Sequence, residues 1–105
     1  PFVNQLKIFM NTAVGRVVLF QSYDTPIAML IICPIHGAAY YIATNEYFSV
    51  TTSKYQKIFY EKHKTYVTHQ YSVSNFSEWL EATHNPALFN ALLLQEREKQ
   101  GANTK

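Results

Sequence analysis

One cysteine, three glycines and few charges set the first limits on this 105-residue chain. Cys33 has no partner for an intramolecular disulfide, which fits a reducing cytoplasm. The glycines are too few and too scattered for a phosphate-wrapping loop, so nucleotide hydrolysis is not implied. The one strongly apolar run, Ile27 to Cys33, is short and bracketed by Pro26 and Pro34, and it cannot span a bilayer. No signal pattern opens the chain. Charged residues make up 15% and the net charge is +2, far less than a general polyanion coat carries.

Hydrophobic residues, by contrast, reach 48%, with eight Tyr, seven Phe and Trp79. That composition is globular rather than disordered. The length predicts one domain over residues 1–105, able to bury a core but near the small end of the range. The excess charge is local. Residues 54–70 carry Lys54, Lys57, Lys62 and Lys64 against Glu61 alone, while the rest of the chain is balanced or slightly acidic.

Pattern and turn chemistry predict an α+β fold, an antiparallel sheet of four or five strands with helices packed on one face. Residues 1–14 read as an N-terminal arm or helix, because Val3, Leu6, Phe9 and Met10 suit a helical face, although Leu6-Lys7-Ile8 also suits a strand. Strands are expected at Val17–Tyr23, Ile27–Cys33, Ala38–Ala43 and Tyr47–Thr51, with a fifth over Tyr66–Val73. The second is central, being apolar on both faces. Adjacent Tyr40 and Tyr41 must point to opposite faces, one to the core and one to the surface. Helices are expected from Ser53 to Lys64, from Asn75, and from Asn85-Pro86 to about Lys99. Gly101 reads as the stop, with a frayed tail over 101–105.

Chemistry concentrates between Tyr40 and Lys64. Ser53 followed by Gln56 fits a capping box, in which each side chain satisfies a backbone N–H of the first turn. Thr51, Thr52, Ser53 and Lys54 then surround a helix N-terminus, which favours anions. Tyr47, Tyr55, Lys57 and Lys64 complete a basic, tyrosine-rich candidate binding surface. Tyr55, Ile58, Phe59 and the stem of Lys62 form the apolar stripe of the same helix.

Two segments of this region carry a resemblance. Ser22-Tyr-Asp-Thr-Pro-Ile-Ala28 and Tyr47-Phe-Ser-Val-Thr-Thr-Ser-Lys54 resemble motifs of a group of small, largely uncharacterised bacteriophage and mobile-element proteins. The similarity covers about residues 16–57. In that group a histidine often follows the lysine, whereas this chain has Tyr55. The resemblance implies a phage or mobile-element source and brings no established chemistry.

Catalytic constellations are weak. Cys33-x-x-His36 with His63 and His69 would be a scattered zinc set, and a lone Cys ending an apolar strand is more simply a small hydrophobe. A metal-dependent nuclease built from Asp24, Glu46 and Lys54 is the enzymatic alternative. The expectation is therefore a cytoplasmic, non-enzymatic protein without metal or cofactor. It would occupy a host or defence protein through the tyrosine-rich basic surface, with direct DNA or RNA binding as the alternative. Homodimerisation through an exposed strand edge is also expected.

Overall fold

The structure, a computed structural model, describes residues 5–34 and 37–103. The start of the expected N-terminal arm, His36 of the zinc set and the last two residues of the tail lie outside that range. The chain runs β1 (Gln5–Thr12), β2 (Gly15–Ser22), β3 (Thr25–Cys33), β4 (Ala38–Thr44), α1 (Val50–His63), β5 (His69–Val73), α2 (Phe76–Ala82) and α3 (Pro86–Asn103). One five-stranded sheet follows chain order, β1-β2-β3-β4-β5. The first four strands are an antiparallel meander, and β5 pairs with β4 in parallel.

The α+β class therefore holds, but the sheet is mixed rather than wholly antiparallel, because β5 joins it in parallel, and three further corrections follow. The first concerns residues 5–12. They form a strand, because Leu6, Ile8 and Met10 alternate with Lys7, Phe9 and Asn11, and β2 pairs with the whole run. The helical reading placed Phe9 and Met10 together on one face, whereas they lie on opposite faces of the sheet.

The second correction concerns Tyr47–Thr51, which is not a strand. Residues 45–49 carry no regular structure, and α1 has already begun at Val50. β-Propensity is realised only where a neighbouring strand and a buried face are on offer. The free edge of β4 is taken instead by β5, delivered by the β4–α1–β5 crossover. A helix between two strands returns the chain to its starting end, so the pair must be parallel.

The third correction is that the helices do not share a face. Phe59 of α1 packs on Val18, Phe20, Leu30 and Tyr41. Trp79 of α2 and Phe89, Leu92 and Leu93 of α3 join Leu19, Met29, Ile31, Tyr40 and Ile42 in a separate cluster. The sheet is sandwiched, which is why Ile27 through Ile31 are all buried. It is also why Tyr40 and Tyr41 are both buried, on opposite faces, rather than one in and one out.

A β-bulge links the sheet to α1. Phe20 pairs with Ala28 but Gln21 pairs with Pro26, so Ile27 is the extra residue. Ile27 and Ala28 both enter the α1-side core. The Ile27 carbonyl accepts a hydrogen bond from Gln56 Nε2 at 3.0 Å. Gln56 thus serves the bulge and not a capping box.

The N-termini of α2 and α3 are capped by asparagine. Asn75 Oδ1 accepts from the Glu78 N–H, and Asn85 Oδ1 accepts from the Leu88 N–H just before Pro86 opens α3. Helix α3 continues through Gly101 to Asn103 rather than stopping at the glycine. One glycine costs a helix only about 1 kcal/mol relative to alanine.

His63 ends α1 against the sheet. Its Nδ1 shares a hydrogen bond with the Tyr66 hydroxyl, while Nε2 is buried without a partner among the described residues. Burial, together with Lys7 and Lys62 nearby, lowers its pKa below the ordinary 6.5. The fold therefore favours the neutral ring. Its contribution is complete above pH 6.5 and is lost as pH falls through the lowered folded value. Melting temperature is expected to fall between pH 7.5 and pH 5 by more in the wild type than in His63→Gln. Equal slopes would mean that His63 does not titrate with folding.

Candidate functional site

The β2–β3 hairpin and the start of α1 meet at one end of the sheet, and specific bonds hold them together. The cap of α1 is Ser49, whose Oγ accepts the Thr52 N–H at 3.0 Å. Ser53 lies inside the first turn and its N–H donates to the Ser49 carbonyl. The expected Ser53 cap is thus displaced by four residues, because Ser49 has the extended backbone that a cap requires. The Thr52 hydroxyl turns inward and shares a buried hydrogen bond of 3.1 Å with Ser22 Oγ. It is a structural tie between α1 and the hairpin, and not an outward ligand.

That tie places Tyr23 beside the α1 entry. Tyr23 is the first residue of the two-residue turn between Ser22 and Thr25. Its φ is +55°, in the left-handed region that disfavours a bulky side chain. The ring is nevertheless 54% exposed, so burial of the ring is not what holds the turn in this conformation. Tyr23 and Phe48 line one hollow of about 250 Å³ together with Ser49 and Thr52. Phe48 also lines a second, of about 270 Å³, with Thr25, Thr44, Glu46 and Leu80. Tyr47, Phe48 and Val50 are 67%, 40% and 76% exposed. Four apolar or aromatic side chains are thus presented to solvent at this end of the molecule, where isolated exposed hydrophobics would call for no explanation.

Lysines flank this cluster. Lys54 is exposed, with Nζ 5.6 Å from the centroid of the Tyr55 ring. Lys57 lines a further hollow of about 250 Å³ between α1 and the β4–β5 strands, with Ser53, Tyr60 and Gln70. There Tyr60 donates to Gln70 Oε1 at 2.9 Å. Beneath it burial and the neighbouring Tyr60 push the Tyr41 phenol far up, so it stays neutral. The first turn of α1 contains no acidic side chain.

Of the residues expected from sequence, Tyr47, Thr51, Ser53, Lys54 and Lys57 are exposed, and Ser53 and Lys57 line one hollow. Thr52 and Tyr55 face inward, Tyr55 packing on the α1-side core. Lys64 lies one residue past the other end of α1, about 15 Å from Lys54 along the helix axis. It is paired with Glu61 at 2.7 Å. The hydrogen bond to Lys64 lowers the Glu61 pKa, and the same bond raises that of Lys64. Lys64 therefore leaves the candidate surface.

Tyr23, Phe48 and Val50 join the surface without having been read from sequence. A tyrosine at the first position of a two-residue hairpin turn, where glycine is expected, was the available signal for Tyr23. Phe48 and Val50 carry no such signal, since the sequence pattern reads both as strand. Among the described residues no three of His, Cys, Asp and Glu come close enough to hold a metal ion.

No curated protein and no solved structure matches the chain. A family match does exist, and it stops where the sheet stops. The chain belongs to DUF8033, a family of unknown function, and the matched residues, 2–73, end at the last residue of β5 and contain the whole of this surface.

Proposed function

We propose that this is a non-catalytic binding protein that occupies another protein through the end of the sheet formed by Tyr23, Tyr47, Phe48, Val50, Lys54 and Lys57. The observation that carries the reading is the exposed aromatic cluster itself. Aromatic anchors ringed by charged residues are the usual composition of a protein-binding hot spot. The lysines and the acid-free first turn of α1 favour a partner that presents carboxylates around an apolar centre. The resemblance to phage and mobile-element proteins supports a host or defence protein in the host cytoplasm as that partner.

Direct DNA or RNA binding by the same surface is the second reading, favoured by the exposed Tyr47 and by Lys54 over the Tyr55 ring, since bases stack on aromatic rings between lysines. Only two lysines of α1 serve this end of the molecule, however. Strong nucleic-acid binders neutralise about six to ten phosphates.

The test is capture of the partner from host lysate, with and without nuclease, by wild type and by Lys54→Glu/Lys57→Glu. Exposed lysines contribute little to stability, so the double reversal should fold normally. Its capture should fall roughly tenfold, while the wild-type capture survives nuclease and weakens only modestly with salt. Capture that disappears with nuclease and falls log-linearly with salt would select the nucleic-acid reading. Undiminished capture by the double reversal would remove the lysines from the site.

A further inference from the structure

The β1 edge of the sheet carries a second feature, tested separately from the proposed binding surface. Among the described residues, strand β1 ends the sheet, and it pairs with β2 over eight residues in unbroken register, from Gln5↔Ser22 to Thr12↔Gly15. The other edge strand, β5, has only five residues. An open edge presents a row of unpaired N–H and C=O groups, and proteins ordinarily protect it with proline, a bulge, shortness or charge. β1 is long and contains neither proline nor bulge. Its single charged residue, Lys7, is drawn toward α1, with Nζ 5.7 Å from the centroid of the Phe59 ring.

The side chains of β1 add to the exposure. Leu6 is 47% exposed on the α2–α3 side, and Phe9 is 74% exposed on the α1 side. Beside Phe9 lies a groove of about 420 Å³, where α1 leaves its face of the sheet uncovered. Val18, Leu30, Ile32 and Tyr66 line it, with Arg16 at its margin.

We infer that β1 pairs with β1 of a second copy, antiparallel about a two-fold axis that passes midway between Phe9 and the partner's Phe9. A two-fold axis perpendicular to a sheet keeps each side chain on its own face, so it must pass between a residue and its own copy. With Phe9 at the centre, Ile8 faces the partner's Met10, Lys7 faces the partner's Asn11 and Leu6 faces the partner's Thr12. No like charges meet, and the two most exposed rings on the strand cover each other. A centre at Lys7 would set like charges opposite and is disfavoured. The resulting ten-stranded sheet carries the Tyr23–Phe48 surfaces at opposite ends, so one dimer would hold two partners apart.

Phe9→Cys tests the register directly. Residues opposed across a two-fold have Cα atoms about 4.5–5.5 Å apart, within disulfide range. Asn11 and the partner's Asn11 would be about 13 Å apart and cannot bridge. Under mild oxidation Phe9→Cys should give a disulfide-linked dimer on a non-reducing gel. Asn11→Cys and the wild type, which has only the buried Cys33, should not. Wild type should sediment as a dimer at high micromolar concentration and Phe9→Lys as a monomer with unchanged circular dichroism. A monomeric wild type would overturn the proposal, as would equal cross-linking of Phe9→Cys and Asn11→Cys. Neither result bears on the binding surface, which Lys54→Glu/Lys57→Glu tests separately.

Discussion

Gly15→Ala is expected to cost at least ~3 kcal/mol and to lower the melting temperature by more than about 12 °C. Gly15 opens β2 with φ at +139°, a conformation that residues with a Cβ rarely adopt. A Cβ at this position would lie 2.2 Å from the Ile32 carbonyl oxygen and 3.2 Å from Cys33 Cα. Both are backbone atoms of the central strand, so neither can swing aside as a side-chain tip would. Relief requires β2 and β3 to separate where Arg16 pairs with Ile32, which opens a core buried on both faces. Gly37 is the internal control. Its φ is +59° and a Cβ there would meet nothing within 4 Å, so Gly37→Ala should cost only about 1–2 kcal/mol. Thermal and urea unfolding followed by circular dichroism measure both. Similar losses at the two glycines would show that close approach to β3 is not what requires Gly15.

Tyr23→Gly should act in opposite directions on stability and binding. The left-handed φ of +55° costs a bulky residue about 1–2 kcal/mol, and glycine removes that cost. Glycine is also more flexible in the unfolded chain, which offsets part of the gain, so a net stabilisation of about 0.5–1 kcal/mol is expected. The ring is half exposed and contributes little burial to set against it. Loss of an aromatic anchor at the centre of an interface typically costs about 2 kcal/mol or more, roughly a 30-fold loss of affinity. The same substitution should therefore raise the melting temperature and lower partner capture about 30-fold. Strain retained at an exposed aromatic residue is the kind of local cost that persists where a site depends on it. A variant that is more stable and still binds fully would show that Tyr23 belongs to the turn alone. A variant that is less stable would mean that the Tyr23 ring supports the hairpin after all.

The positions of β2, β3 and β4 were legible because each is a β-branched or aromatic run ended by Pro, Gly or Asp chemistry, and such signals act over a few residues. The caps of α2 and α3 at Asn75 and Asn85 were legible for the same reason. The continuous apolar run of Ile27–Cys33 also stated that its strand is covered on both sides. Two-sided cover already implied helices on both faces, and the one-face arrangement expected with the α+β class conflicted with it.

What sequence alone could not decide depended on competition for partners. Residues 5–12 become a strand because β2 offers them a register. Residues 47–49 do not, because β5 occupies the only edge of β4 on which they could pair. The start of α1 moved from Ser53 to Ser49 for the same reason, since without a strand to extend, Val50, Thr51 and Thr52 were free to enter the helix. Thr52 then found Ser22, thirty residues away, and left the candidate surface, while Tyr23 and Phe48 entered it. Local chemistry determined which residues turn, cap and alternate. Only the assembled sheet, by filling the edge of β4 and both faces, decided which tyrosines and lysines remain outside.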